Sequence, residues 1–374
     1  MQFIDLAAQQ QYIRKGLDKR IADVLSHGGY IMGPEVGELE MRLAEFCGVK
    51  HALGCANGTD ALQLAMMAMG VMPGDAIFCP SFTFASTAEI VPMMGATPIF
   101  VDIVPDTFNI CVKSLERAIA AAKELGLRPT GVVAVDLFGL PADYDAIEAI
   151  ASAEGLWVLA DSAQGFGADY KGRKTGSIGK MATTSFFPAK PLGCYGDGGA
   201  IFTNDDDLAD LVKSYRVHGK GSHKYDNERV GINSRLDTLQ AAILLEKLSV
   251  YAEEIEKRQV VANRYQAALA DIIKTPSVPD NMVSVWAQYT VTCGEGQDRE
   301  TIMSRLKDDG IPTAVYYPRP LHQQTAYSAY PSDPEGLPHS ESLSNRVFSL
   351  PMHPYMQSDD QNRVIDAVIK AIPR

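Results

Sequence analysis

Leu156-Trp157-Val158-Leu159-Ala160 is a continuous apolar run, bounded by Gly155 before it and Asp161 after it. It lacks the polar alternation of a half-exposed strand, so it reads as a β-strand buried on both faces, the mark of a parallel sheet. The same reading extends on both sides. Ala76–Pro80, Thr97–Asp102, Gly131–Asp136, Thr183–Phe187 and Ala200–Thr203 look like strands, while Ala85–Met94, Val112–Leu125, Asp143–Glu154 and Asp206–Tyr215 look like helices. Alternation of this kind from His51 to about Thr203 predicts an α/β fold, with a mainly parallel sheet between helices.

Two amphipathic helices, Tyr12–Ser26 and Pro34–Phe46, precede the alternating region. After it comes the polar stretch Val217–Val230, with His218, Lys220, His223 and Lys224, readable as a mobile loop beside an anionic ligand or as a solvated surface loop. A long helix, Leu236–Leu269, leads into a smaller α+β region: strand Ala287–Thr292, helix Arg299–Asp309, strand Thr313–Tyr316, an irregular Pro331–Pro338 loop and helix Asp359–Ala371. The expected division is a large domain over residues 1–250 and a small C-terminal domain over 251–374.

Asp161 stands at the carboxyl end of its strand, where open α/β sheets bind ligands. It would equally serve as a helix N-cap with Ser162 behind it. Two strands' worth of sequence further on lies Ser185-Phe186-Phe187-Pro188-Ala189-Lys190-Pro191-Leu192-Gly193, followed by Tyr195-Gly196-Asp197-Gly198-Gly199. A lysine after a strand is commonly just solvated. Held on a constrained, partly desolvated loop, however, its amine becomes a nucleophile toward carbonyls. A pyridoxal 5'-phosphate (PLP) enzyme needs such a lysine for its Schiff base, and an anion beside the pyridine nitrogen to keep that ring an electron sink.

Two further stretches suit a phosphate-bearing cofactor. In His51-Ala52-Leu53-Gly54-Cys55-Ala56-Asn57-Gly58-Thr59-Asp60, a short strand runs into the helix Asp60–Met69. Backbone amides at a helix start, with a hydroxyl and a glycine, make an anion site, though an ordinary strand-to-helix turn would use the same residues. In Gly231-Ile232-Asn233-Ser234-Arg235-Leu236-Asp237, Asn233 and Arg235 precede a helix; they could cap it, meet an anion, or (Arg235 with Asp237) form a surface pair.

The formal net charge of −12 argues against non-specific nucleic-acid binding, so an anionic substrate would need a local positive site. The six cysteines (Cys47, Cys55, Cys79, Cys111, Cys194 and Cys293) show no CxxC spacing, which predicts reduced, buried and inert thiols and no metal site, Cys194 included. The start Met1-Gln2-Phe3-Ile4-Asp5 has no basic-then-apolar pattern, and no uncharged run approaches ~18 residues, so the cytoplasm is the expected compartment. Gly172-Arg173-Lys174-Thr175-Gly176 lacks P-loop spacing and reads as a hairpin turn. His353 is expected to make a structural hydrogen bond, and Trp157 and Trp286 to pack in the core or an interface.

Taken in order, these stretches resemble one family over nearly the whole chain. Phe3-Ile4-Asp5-Leu6, Gly33-Pro34-Glu35-Val36, Asn57-Gly58-Thr59-Asp60-Ala61-Leu62, Pro80-Ser81-Phe82-Thr83-Phe84, Gly95-Ala96-Thr97-Pro98, Asp161-Ser162-Ala163-Gln164, the lysine loop, Asn233-Ser234-Arg235 and Tyr317-Pro318 are similar to the sugar aminotransferases of fold-type-I PLP enzymes. The resemblance implies a seven-stranded-type sheet, PLP as cofactor, and roles for matching residues. Lys190 would hold the cofactor and shuttle a proton, and Asp161 would pair with the pyridine nitrogen. Gln164 would contact the ring, Phe84 would stack on it, and Gly58, Thr59 and Ser185 would hold the phosphate. Asn233 would reach the phosphate of a neighbouring subunit in a homodimer with shared sites; Arg235, Tyr316 and Tyr317 would meet the sugar nucleotide.

Phe187–Gly199, Arg235–Ala242 and Ser349-Leu350-Pro351-Met352-His353-Pro354 look like the branch acting at C3 of UDP-2-acetamido-2-deoxy-3-oxo-glucuronate in bacterial surface-polysaccharide (O-antigen) synthesis, with glutamate as amino donor. The alternatives are an enzyme for a dTDP-linked keto-deoxysugar and a non-catalytic regulator binding sugar nucleotides or PLP. Lys190 argues against the related sugar dehydratases, which carry histidine there. Two positions depart from the family pattern: Tyr316 and Asp136 each stand where many relatives carry histidine, and Asp136 is left without a role.

Overall fold

The computed structural model describes residues 1–223 and 225–372; Lys224, expected in the polar loop, lies outside them. Helices α1 (Leu6–His27) and α2 (Pro34–Cys47) lead into β1 (His51–Cys55), α3 (Gly58–Ala68), β2 (Asp75–Pro80), α4 (Ser86–Met93), β3 (Thr97–Val101), α5 (Val112–Glu124), β4 (Arg128–Val135), α6 (Tyr144–Glu154) and β5 (Trp157–Asp161). Short strands β6 (Asp169–Tyr170) and β7 (Arg173–Lys174) follow, then β8 (Met181–Ser185), β9 (Gly199–Thr203) and α7 (Asp206–Tyr215). Seven of these strands form one sheet in the order β1-β9-β8-β5-β4-β2-β3. The five from β8 to β3 run parallel, while β9 is antiparallel to both β1 and β8. The α/β expectation therefore holds. Every residue of β2 and β9 is buried, which is why these strands carry apolar runs and not alternation.

Three boundaries differ from the sequence reading in ways that bear on the site. The strand expected over Thr183–Phe187 lies two residues earlier: it pairs with β5 from Leu159↔Met181, and Phe186 N turns away to Gly198 O at 2.7 Å. Ser185 is thus the last strand residue before the lysine loop. The helix expected from Asp60 starts at Gly58, because Asn57 Oδ1 accepts from Asp60 N at 2.8 Å and caps it. Thr313–Tyr316 is not a strand but a single bridge, Ala314↔Ser349, flanked by Pro312 and Pro318, which have no amide to donate.

The C-terminal part comprises α8 (Thr238–Leu269), β10 (Met282–Val283), β11 (Tyr289–Thr292), α9 (Arg299–Asp308), α10 (Pro338–Ser344), β12 (Val347–Leu350) and α11 (Ser358–Ala371). β11 pairs with β12, and Tyr265, Leu269, Val291, Leu306, Phe348 and Val364 belong to its own core. Residues 169–174 form the expected hairpin, extended by β10. The segment between α9 and α10 returns to the large sheet. Phe100 N donates to Pro331 O and Asp333 N to Phe100 O, along β3, and buried Asp333 accepts from Ser114 and Arg117. Leu321, Tyr327 and Leu337 join the core beside α3 and α4.

Candidate active site

β5 delivers Asp161 to the carboxyl edge of the sheet. Its Oδ2 accepts from Thr87 Oγ1 at 2.9 Å and its Oδ1 from Ala163 N at 3.2 Å. The residues after it form turns and not a helix, so Asp161 is no helix cap. Burial pushes its pKa up, opposed by the Thr87 and Ala163 donors and by the charge of Lys190. Thr87 was not foreseen. The available signal was a pair of hydroxyls four residues apart, Thr83 and Thr87, whose oxygens lie 3.2 Å from one another.

Gln164 is clamped at both ends of its amide: Oε1 accepts from Phe138 N at 2.7 Å, and Nε2 donates to the Tyr317 hydroxyl at 2.8 Å. Burial drives the Tyr317 phenol pKa up, and the nearby Asp161 charge adds to that push. Its hydroxyl is taken up by Gln164, and its ring centroid lies 6.4 Å from that of Phe84 and 6.0 Å from that of Tyr316. Phe84 is 55% exposed beside these buried groups, which leaves an aromatic face for a planar ligand.

The lysine loop is held by its own backbone. Lys190 N donates to Phe187 O at 2.8 Å, and a Cβ on Gly193 would come within 2.5 Å of that same carbonyl, so only glycine closes the turn. From α8, the buried Lys247 Nζ donates to Gly193 O at 2.6 Å. Burial lowers the pKa of Lys190, and the Asp161 carboxylate acts in the opposite direction. Cys194 donates to Phe186 O and Gly196 O, and burial pushes its thiol up to about 11, in keeping with an inert side chain.

An anion cradle faces Ser185. With Asn57 occupied by Asp60 N, the Gly58 and Thr59 amides donate to nothing among the described residues. A Cβ on Gly58 would stand 2.7 Å from Ser185 Cβ, so the first turn of α3 is pressed against the end of β8. Ala56 N donates to Ser234 Oγ at 3.1 Å, which brings the Asn233–Arg235 segment to the same corner. Asn233 does not cap α8, whose N-cap residue is Asp237, and Arg235 forms no ion pair with Asp237. The Asn233 side chain is exposed, and the Arg235 guanidinium is half-buried without a partner among the described residues.

His353 departs from expectation: its Nδ1 is buried with no partner among the described residues, and burial lowers the ring pKa to about 4. All six cysteines are free. Among the described residues no helix is long and apolar enough to cross a membrane.

The sequence model of the DegT/DnrJ/EryC1/StrS aminotransferase family matches residues 11–369. The chain belongs to this family. It is 50% identical over 359 residues, 96% of each chain, to the UDP-2-acetamido-2-deoxy-3-oxo-D-glucuronate aminotransferase of Pseudomonas aeruginosa. A crystal structure of a family member from Brucella abortus superposes with a TM-score of 0.98 at 51% identity, covering 100% of both chains. DesV of S. venezuelae, solved in complex with a ketimine intermediate, gives 0.93 at 37% identity over 99% of this chain and 97% of that one. The aminotransferase is PLP-dependent. The site fits the cofactor: two free amides and a hydroxyl suit a phosphate, Phe84 a ring face, Asp161 a ring nitrogen, and the Lys190 amine an aldehyde.

Proposed function

We propose that this aminotransferase places an amine at C3 of UDP-2-acetamido-2-deoxy-3-oxo-glucuronate, taking it from glutamate, in the cytoplasmic assembly of bacterial surface polysaccharide. The observation that carries this reading is the 50% identity, spread over 96% of both chains, with a relative of that named activity. On this chain, Arg235, beside the anion cradle and without a partner among the described residues, supports it, because a guanidinium binds a carboxylate or a diphosphate through two parallel hydrogen bonds.

When bound, PLP supplies an aldehyde carbon that exchanges amine for carbonyl and a ring that accepts an electron pair. The chain's residues do the rest. Gly58, Thr59 and Ser185 bind the phosphate, Phe84 and Gln164 fix the ring plane, and Asp161 keeps the ring nitrogen cationic. Lys190 Nζ, its proton affinity lowered by burial, takes a proton from Cα of the donor amino acid; protonated, it returns one to the sugar carbon. Arg235, Tyr316 and Tyr317 meet the sugar nucleotide, Tyr317 with its hydroxyl held by Gln164.

The working unit in this reading is a homodimer in which Asn233 serves the neighbouring site. The exposed Asn233 amide and the exposed apolar Tyr30, Ile31, Phe187 and Val230 support it. The boundary between the two domains falls near residue 250, within α8.

The test is a panel of keto-sugar nucleotides, UDP- and dTDP-linked, with and without a carboxylate, offered to pyridoxamine-phosphate-loaded enzyme. Preferential turnover of the UDP-linked keto-uronate is expected; preference for a dTDP-deoxysugar would move the substrate assignment, and no turnover of any would favour a regulator. Arg235→Ala is expected to raise the KM for the sugar nucleotide roughly tenfold to a hundredfold, the loss of one charged hydrogen-bonded contact, with little change in kcat. Unchanged kinetics would remove Arg235 from the substrate site.

A further inference from the structure

Asp136, at the turn after β4, has no part in the chemistry above, yet it is buried directly behind it. Its Oδ2 accepts from Ser162 Oγ at 2.6 Å; its Oδ1 accepts from the Tyr144 hydroxyl at 2.7 Å and from Ala142 N at 3.1 Å. Its own amide donates to Asp161 O at 3.0 Å. A Cβ on Gly165 would lie 2.3 Å from Asp136 Cβ, so the chain after Gln164 passes directly over this side chain. Two residues on from Asp136, Phe138 N holds the Gln164 amide oxygen. The turn at 136–139 and the turn at 161–165 are thus tied together at three points, and Asp136 is the side chain at their centre.

We propose that Asp136 is a positioning residue: its carboxyl group, gripped by Ser162, Tyr144 and the Ala142 amide, fixes the turn that presents Asp161 and Gln164 to the cofactor ring. The inference rests on the reading of Asp161 and Gln164 as ring contacts.

The surroundings give this role a pH signature. The titratable groups facing Asp136 are Asp161 from β5 and Tyr144 from α6; no cation is among the groups that shift it. Burial pushes its pKa up to about 7, against the pull of its three donors and with a further push from Asp161. The sign follows. The fold holds a proton that the unfolded chain releases in the ordinary carboxylate range, so the stability tied to that proton is complete at acid pH and is lost as pH rises through about 7. Above that point a second anion stands behind Asp161 and strengthens the hold on a cationic ring.

The experiment compares wild-type holoenzyme with Asp136→Asn and Asp136→Ala. The PLP dissociation constant is read from the visible band, and the thermal midpoint is followed, from mildly acid to mildly alkaline pH. Asp136→Asn keeps the shape and an acceptor. It is expected to bind PLP like wild type at acid pH and to fall behind by about threefold to tenfold on the alkaline side, a modest through-space effect. In the variant-to-wild-type ratio the cofactor's own titrations cancel. The thermal midpoint of Asp136→Asn relative to wild type should rise across the same window. Asp136→Ala leaves buried donors without an acceptor and is expected to weaken PLP binding about tenfold to a hundredfold. Should that variant not fold, the Asn ratio alone decides: a ratio flat through neutral pH overturns the proposal. The reading beneath it fails differently, through an Asp161→Asn variant that binds PLP as tightly as wild type.

Discussion

Lys190→Ala is expected to lose turnover by at least a hundredfold to roughly ten-thousandfold, the usual worth of a positioned acid–base group, and to do so in kcat and not in KM. The amine is the only group on the loop whose burial lowers its proton affinity while it remains electrostatically coupled to Asp161. The cradle is built from other residues: the Gly58 and Thr59 amides, Ser185, Phe84 and Asp161 stay where they are. The variant should therefore still bind pyridoxamine phosphate. Near-normal turnover would remove the lysine from the chemistry, and lost pyridoxamine phosphate binding would mean that the substitution had collapsed the loop.

Asp161→Asn carries the second large effect. The amide keeps the size of the carboxylate and its oxygen can still accept from Thr87, but its nitrogen cannot accept from Ala163 N as Oδ1 does. The larger loss is the charge: breaking a buried ion pair with a cationic ring costs about 3–5 kcal/mol, or roughly a hundredfold to five-thousandfold in rate and cofactor affinity. Stopped-flow half-reactions with glutamate and equilibrium PLP binding would both read it. An asparagine variant with wild-type half-reaction rates would show that the ring nitrogen is held by something else.

The parts of the fold legible in the sequence were those governed by burial on both faces. Leu156–Ala160 and Ala76–Pro80 are apolar without interruption because helices cover both sides of the sheet, and they fell where expected. Strand ends were less legible, because hydrogen bonding to distant chain sets them: β8 ends at Ser185 since Phe186 N is claimed by Gly198 O. Thr313–Tyr316 has strand-like residues, but its neighbouring prolines limit pairing to one bridge. The return of residues 321–337 to the large sheet left no periodic signal; it depends on Asp333 meeting Ser114 and Arg117 from 216 or more residues away in sequence.

Within the candidate site, the charged and glycine positions stood out in the sequence, since Asp161 and Gly58 lie at a strand end and a helix start and Lys190 on the loop after β8. The side chains that orient them could not. Thr87 reaches Asp161 across 74 residues, and Tyr317 reaches Gln164 across 153, so their roles exist only once the sheet has formed. Asp136 was conspicuous in the sequence as an acid at a strand end, but its donors are Ala142 and Tyr144 at the start of the next helix and Ser162 beyond the next strand, which only the folded chain brings onto one carboxyl group.

The most direct test is covalent. Holoenzyme treated with borohydride, digested and mapped by mass spectrometry should carry a reduced pyridoxyl adduct on the peptide containing Lys190, with the visible absorbance lost in step. An adduct-free Lys190 peptide, or an adduct on another lysine, would contradict the account.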